Sequence, residues 1–189
     1  LYWEIFVSPM VADRLLTETI GPYLKRYGGR IAKWFFIRYT EGGEHIRLRL
    51  QYLDDGDRDI LLDGFNAIVH PQMSTGVVSE VQLKTYRREW ERYAWAGMDG
   101  VERCFSRDSA CILEVLPLLD ERQRYRAAVH LVEGIFASGV LEPGTEKDLL
   151  TERTVAFQRE HGAVGAALKS VNTCYRELYA GQREALPTV

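Results

Sequence analysis

Between residues 35 and 50 the chain reads FFIRYTEGGEHIRLRL, and Arg38, His45, Arg47 and Arg49 fall within about a dozen positions. Guanidinium groups grip carboxylates and carbonyls through paired N–H donors, so arginines sharing one face could bind an anion or a peptide. A two-residue turn at Gly42-Gly43 would place them so. Thr40 then pairs with His45, Arg38 with Arg47, Phe36 with Arg49 and Trp34 with Gln51, all on one face of a hairpin. The other face carries Tyr39 with Ile46, Ile37 with Leu48 and Phe35 with Leu50, apolar pairs suited to packing under helices. Like charges directly opposite cost from tenths of a kcal/mol to about 1 kcal/mol. Two readings remain open. The face is solvated, with Arg49 resting on Phe36, or it is a polar floor for an anionic or peptide-like ligand.

A negative charge for that floor is at hand in YRREWERYAWAGM. Glu89 lies three residues before Arg92, so in a helical turn the two are neighbours. Alternatively Glu89 reaches the arginines, where opposite charge would hold it ionised. Near the C-terminal end, LKSVNTCYRELYAG gathers Ser170, Thr173, Tyr175 and Tyr179. On a helix these hydroxyls would serve as acid/base or hydrogen-bonding groups, or as ordinary amphipathic decoration. His45, His70, His130 and His161 show no metal-ligand spacing. Neither a G-x-S-x-G nucleophile motif nor a phosphate-binding glycine loop is present.

The elements that must position these groups follow from periodicity. Residues 2–8, YWEIFVS, read as a strand, and residues 11–27 as a helix with Leu15, Leu16, Ile20 and Leu24 at helical spacing. Strands over 32–40 and 44–52, a short helix over 57–69 and a strand over 77–88 follow. The order β-α-β-β-α-β predicts a ferredoxin-like split layer, one sheet with two helices on one face. From Met98 onward the pattern is helical, over 98–118, 121–137, 146–160 and 164–180. The fold class is therefore α+β, a sheet half (1–97) and a helical half (98–189), expected to form one domain over 1–189.

Composition narrows the partners. A formal charge of −3 over 189 residues gives no global case for nucleic acid or membrane binding, so an anion site must be local. No apolar run approaches 18 residues and the start lacks a basic n-region, which predicts neither a transmembrane helix nor a signal peptide. Cys104, Cys111 and Cys174 are expected to be free thiols in a reducing cytoplasm. Tyr2 and Trp3 read as an exposed aromatic edge that would suit a homodimer.

Taken together, DRLLTETIGPYL, WFFIRYTEGGEHIRLRL, YRREWERY and GMDGVERCFSRDSACIL resemble the C-terminal, elimination-type domain of lantibiotic dehydratases and its stand-alone relatives in thiopeptide biosynthesis. The resemblance covers roughly residues 2–118. It implies that the H-x-R-x-R strand (His45, Arg47, Arg49) and the E-x-x-R-Y segment (Glu89, Arg92, Tyr93) line an active site. Dehydratase members glutamylate Ser or Thr of a precursor peptide from glutamyl-tRNA, and the elimination domain then removes glutamate. Two departures stand against elimination here. Gly-Gly usually follows E-x-x-R-Y, whereas this chain has ERYAWAGM. The last helix of eliminating members carries a histidine, whereas SVNTCYREL has none, which removes a proton-transfer group.

The sequence looks closer to a second branch, the thiopeptide pyridine synthases. That resemblance implies a formal [4+2] aza-cycloaddition of two dehydroalanines, with loss of water and of the leader peptide, and no cofactor. Its partner is the precursor peptide, leader and dehydrated core. Glu89, Tyr93, Ser170, Tyr175 and His45 would serve tautomerisation and proton transfer, and Trp34, Arg38, Arg47, Arg49 and Arg92 would hold the substrate. The rivals are a glutamate-eliminating subunit of a split dehydratase and a non-catalytic module that binds the precursor peptide.

Overall fold

The computed structural model describes residues 1–93, 97–139, 142, 144–160 and 162–180, without the side chains of 121, 122, 125, 160, 175 and 177–180. The chain divides into two compact units, Leu1–Arg124 and Tyr125–Val189.

In the first unit, strands β1 (Tyr2–Val7), β2 (Ile31–Tyr39), β3 (His45–Tyr52) and β4 (Val78–Leu83) form one antiparallel sheet. Their order, β2-β3-β1-β4, is that of the split layer read from the sequence. Helix α1 (Pro9–Leu15) starts where the Ser8 side chain accepts from the Met10 amide, with Pro9 at its first position. Pro22 has no N–H for the preceding turn, and over Leu16–Ile20 the ladder widens so that Gly21 donates to the Leu16 carbonyl. The path continues as α2 (Gly21–Arg26). Helix α3 (Asp57–Ser74) runs five residues beyond the 57–69 expected.

Trp3, Ile5 and Val7 of β1, Ile46, Leu48 and Leu50 of β3, Leu16, Ile20 and Tyr23, and Leu61 and Phe65 of α3 form the core on one face of the sheet. Trp3 stacks on Phe65 with ring centroids 4.2 Å apart. Tyr2 and Trp3 are thus buried on a central strand, Trp3 at 2% exposure. They form no exposed aromatic edge, and the sequence argument for a homodimer falls with it.

The hairpin differs from expectation by one residue. The tight turn spans Thr40–Gly43, whose ends are joined by a Gly43 N–H to Thr40 carbonyl bond of 3.0 Å. Gly42 and Gly43 take φ of 80° and 112°, a region closed to most side chains. The loop is therefore residues 40–44, and the strand pairs are Tyr39↔His45, Ile37↔Arg47, Phe35↔Arg49 and Trp34↔Leu50. A one-residue slip moves every side chain of one strand to the other face. Arg38, Phe36 and Trp34 accordingly lie with the helix-facing side, opposite Ile46, Leu48 and Leu50.

Strand β4 is shorter than the 77–88 expected, because β1 runs out of partners. The last bond is Lys84 N–H to the Tyr2 carbonyl, 2.8 Å. Residues 84–89 continue without regular structure to the single turn α4 (Trp90–Tyr93). Helix α5 (Met98–Val115) then lies along β2. Its Ser109 hydroxyl accepts from Phe36 N–H (3.1 Å) and donates to the Phe36 carbonyl (3.4 Å). An edge strand with unmet backbone groups is an aggregation hazard, and Ser109 meets both groups of one residue.

Helix α6 (Glu121–Ala137) begins at the end of the first unit. The second unit carries its remainder with α7 (Thr145–Glu160) and α8 (Gly165–Ala180). The four helices after Met98 fall where periodicity placed them. Among the described residues no helix is long and apolar enough to cross a membrane.

Candidate functional site

The sheet face opposite the core is polar and aromatic. Alternation brings His45, Arg47, Arg49 and Gln51 of β3 to it, beside Tyr2, Glu4 and Phe6 of β1 and Lys33, Phe35 and Tyr39 of β2. The pairings Tyr2↔Arg49, Glu4↔Arg47 and Phe6↔His45 decide which groups meet.

Glu4 sits opposite Arg47 and is buried. Its carboxylate takes the Tyr2 hydroxyl at 2.5 Å and lies 2.6 Å from Lys84 Nζ and 3.4 Å from Arg47 Nε. Burial pushes the Glu4 carboxyl up, but bonds from Lys84 and Tyr2 and the two nearby cations outweigh it. The carboxyl is held below its ordinary value and stays ionised. Arg47 lies over the Tyr39 ring, 3.6 Å from its centroid, and its Nε–H donates to His45 Nε2 at 3.0 Å. The other imidazole nitrogen, Nδ1, faces the Gly43 carbonyl at 2.6 Å.

Arg49 is in a different situation. It is 8% exposed, and its Nε and Nη1 are buried with no hydrogen-bond partner. The guanidinium lies among three rings, 4.7 Å from Tyr2, 5.0 Å from Tyr86 and 5.3 Å from Phe35. Ring faces attract a cation but do not replace a carboxylate. Burial weakens its hold on its proton, partly offset by Tyr2, Tyr86 and Glu89. Arg49 also lines a cavity of 520 Å³ with Phe35, Tyr86, Lys33, Arg88 and Glu102.

Lys33 and Arg88, two other cations of that cavity, are already paired with carboxylates. Glu102 of α5, 1% exposed, takes Arg88 through both oxygens (3.0 and 2.7 Å) and lies 2.6 Å from Lys33 Nζ. Burial pushes its carboxyl up, and Arg88 and Lys33 more than reverse this. Asp99 bonds Arg88 (2.7 Å) and Lys33 (3.0 Å) as well. This clamp fixes the segment carrying Tyr86 and Glu89 against β2 and α5. Burial and the adjacent Glu102 carboxylate push the Tyr86 phenol up to about 12, so it remains a neutral donor.

Of the residues singled out from sequence, His45, Arg47 and Arg49 are brought together. Glu89 is close enough to influence Arg49 electrostatically, and bonds Arg92 at 3.4 Å. Tyr93 packs edge-on against Phe105, which in turn meets Phe35. Arg38 and Trp34 do not join the floor. Arg38 pairs with Asp13 of α1, which Arg124 also bonds, and Trp34 packs against the core. Ser170 is exposed on α8, and the Tyr175 side chain lies outside the described residues. Glu4, Tyr86 and Glu102 were missed. A lone carboxylate in an apolar strand was the available signal for Glu4, and a tyrosine three residues before Glu89 for Tyr86. Cys104, Cys111 and Cys174 are free thiols. Among the described residues no cluster of His, Cys, Asp and Glu is arranged to hold a metal ion.

Two solved structures share this architecture. The tRNA-dependent lantibiotic dehydratase MibB from Microbispora sp. 107891 is 28% identical with a TM-score of 0.56, covering 62% of this chain and 12% of that one. TsrL is 20% identical with a TM-score of 0.61, covering 98% of this chain and 55% of that one, a likeness of fold. The chain thus spans about an eighth of the one and about half of the other. No curated protein sequence matches it. Residues 1–188 match the family model for the C-terminal part of lantibiotic biosynthesis dehydratases, and the chain belongs to that family.

Proposed function

We propose that this protein is a thiopeptide pyridine synthase, which joins two dehydroalanines of a ribosomally made precursor by a formal [4+2] aza-cycloaddition. Water and the leader peptide are lost, leaving a pyridine-centred macrocycle. The observation that carries the reading is Arg49, a buried cation without a hydrogen-bonded counter-ion on the wall of a 520 Å³ cavity. A guanidinium so placed is completed by an oxygen-rich ligand such as a peptide carbonyl or carboxylate. Holding the two alkenes against each other is the main task, because proximity alone supplies several kcal/mol.

The remaining groups suit the proton movements. Glu89, within electrostatic reach of Arg49, takes the amide N–H proton and returns it to the carbonyl oxygen as the iminol forms. At each departure it takes a ring C–H proton while Tyr93 protonates the leaving oxygen or nitrogen, and the proton on Glu89 restores Tyr93 through solvent. Arg47 and Arg92 hold flanking peptide oxygens. The missing Gly-Gly after Tyr93 and the missing histidine in SVNTCYREL favour this reading over glutamate elimination. Given a bis-dehydroalanine precursor, the protein is expected to release leader peptide and yield a macrocycle by mass spectrometry. Unchanged precursor overturns the reading. Arg49 would equally accept a glutamyl carboxylate, so free glutamate from a glutamylated precursor would favour the eliminating subunit. Tight precursor binding without turnover of either substrate would favour a passive module.

A further inference from the structure

His45 has both ring nitrogens engaged, and the partners fix its form. A carbonyl only accepts, so the Gly43 oxygen 2.6 Å from Nδ1 requires a proton on Nδ1. An arginine only donates, so Arg47 Nε–H at 3.0 Å requires a lone pair on Nε2. The imidazole is therefore neutral, protonated at Nδ1, and 4% exposed. Phe6 lies against the ring at 4.9 Å and Tyr39 at 5.7 Å. Glu4 Oε1 lies 4.0 Å from Nε2. A histidine so enclosed has no free nitrogen with which to move a substrate proton.

The bond to Arg47 has a clear geometric effect. Nε of an arginine fixes the plane of the whole guanidinium, and here that plane lies over Tyr39. The Arg47 terminal nitrogens form no hydrogen bond among the described residues. We propose that His45 is a positioning residue, which holds Arg47 by its Nε–H so that the two terminal nitrogens present a fixed fork to an oxygen of the bound precursor peptide. The H-x-R spacing has a physical reason in this arrangement. Residues two apart on a strand share a face, which lets an imidazole reach the Nε of its neighbour. The proposal rests on the peptide-substrate reading for the identity of the ligand, but not for the hydrogen bond itself.

Two measurements on the full chain test it. Nitrogen-15 NMR of the wild type at neutral pH should show an unprotonated His45 Nε2 and a slowly exchanging Arg47 Nε–H. That signal should vanish in His45→Phe, which keeps a ring but no acceptor, and persist in His45→Gln, whose amide oxygen can accept. A protonated Nε2 overturns the proposal whether or not the protein cyclises anything. A failure to make macrocycle, by contrast, overturns only the proposed activity. In titrations with a synthetic bis-dehydroalanine precursor, His45→Phe should weaken binding about tenfold, and His45→Gln should restore most of it. Arg47→Ala should cost a similar factor, and adding His45→Phe to it should cost nothing more. Additive losses, or a fall in kcat with unchanged binding in both His45 variants, would show that His45 acts on the substrate directly.

Discussion

Replacing Arg49 by methionine should cost the protein its ligand while leaving it as stable as before, or more stable. Two buried donors of Arg49 lack partners, and each such donor costs about 1–3 kcal/mol. Against this stand three ring contacts at 4.7, 5.0 and 5.3 Å, each contributing about 0.5–1 kcal/mol, or about 2 kcal/mol when well desolvated. The two sums nearly cancel, with a small excess on the unfavourable side. Methionine keeps most of the volume and leaves no unmet donor, and a swap of near-equal volume costs less than about 1.5 kcal/mol. The expected change therefore runs from nil to a gain of about 2 kcal/mol, or up to about 8 °C in Tm at this chain length. A buried leucine truncated to alanine would instead lose about 2–5 kcal/mol. The assay is a denaturant melt paired with calorimetric titration of a bis-dehydroalanine precursor. A loss of more than about 2 kcal/mol with peptide binding intact would refute the argument. It would mean that Arg49 is fully compensated within the protein and is not poised for a ligand.

Glu102→Gln should destabilise the first unit by about 2–3 kcal/mol in a urea melt, since it leaves Arg88 and Lys33 facing a neutral amide in a nearly buried clamp. That figure sits below the range for fully buried pairs because Arg88 is 30% exposed. Gly64→Ala should cost about 1–3 kcal/mol, because the new methyl would come within 2.6 Å of the Tyr27 ring end, and Gly64→Ala with Tyr27→Leu should recover much of it. Acid should weaken the fold. Glu4, Asp13 and Glu102 are all held below their ordinary values, so their stabilising contribution is present above the unfolded carboxylate range and is lost as pH falls through the folded values. Melts across that window should show a decline that Glu102→Gln makes shallower, and an unchanged slope would contradict the assignment of Glu102 as a linked group.

Much of the architecture was legible because each element carried its own signal. The β-α-β-β-α-β order and the four later helices follow from periodicity, and the sheet order agrees with the split layer they imply. The register of one hairpin was not legible. Gly42-Gly43 can be the centre of a two-residue primed turn or the end of a longer loop, and nothing local decides between them. The observed register sets Phe35 and Tyr39 of β2 beside Arg49 and Arg47 and turns Trp34 and Phe36 toward the core, contacts between strands that the turn residues do not encode. Likewise the clamp through Glu102 joins residues 33, 88 and 102, and such spacing carries no local pattern. What sequence did show was the chemistry of the β3 strand itself, since alternation alone keeps His45, Arg47 and Arg49 together in any register.

That slip of one residue also accounts for how an excess of arginines is tolerated. In the expected register Arg38 and Arg47 face each other, and water, a carboxylate or a bound anion must offset their repulsion. In the observed register Arg38 leaves for the other face, where Asp13 neutralises it. Arg47 then finds Glu4 directly across on β1, with His45 taking its Nε–H. Lys84 shares Glu4, and Lys33 and Arg88 share Glu102 and Asp99. Among the described residues of this cluster, Arg49 is left with rings for neighbours and no hydrogen-bonded carboxylate. A fold that supplies a carboxylate to Lys33, Arg47, Lys84 and Arg88 and no hydrogen-bonded one to Arg49 concentrates its unmet hydrogen-bonding demand at a single wall of one cavity. An oxygen placed there gains more than at any paired arginine, because it removes a desolvation cost the free protein already bears. Substrate orientation should therefore respond far more to Arg49 than to Arg38, and Arg38→Met should change stability while leaving peptide binding as it was.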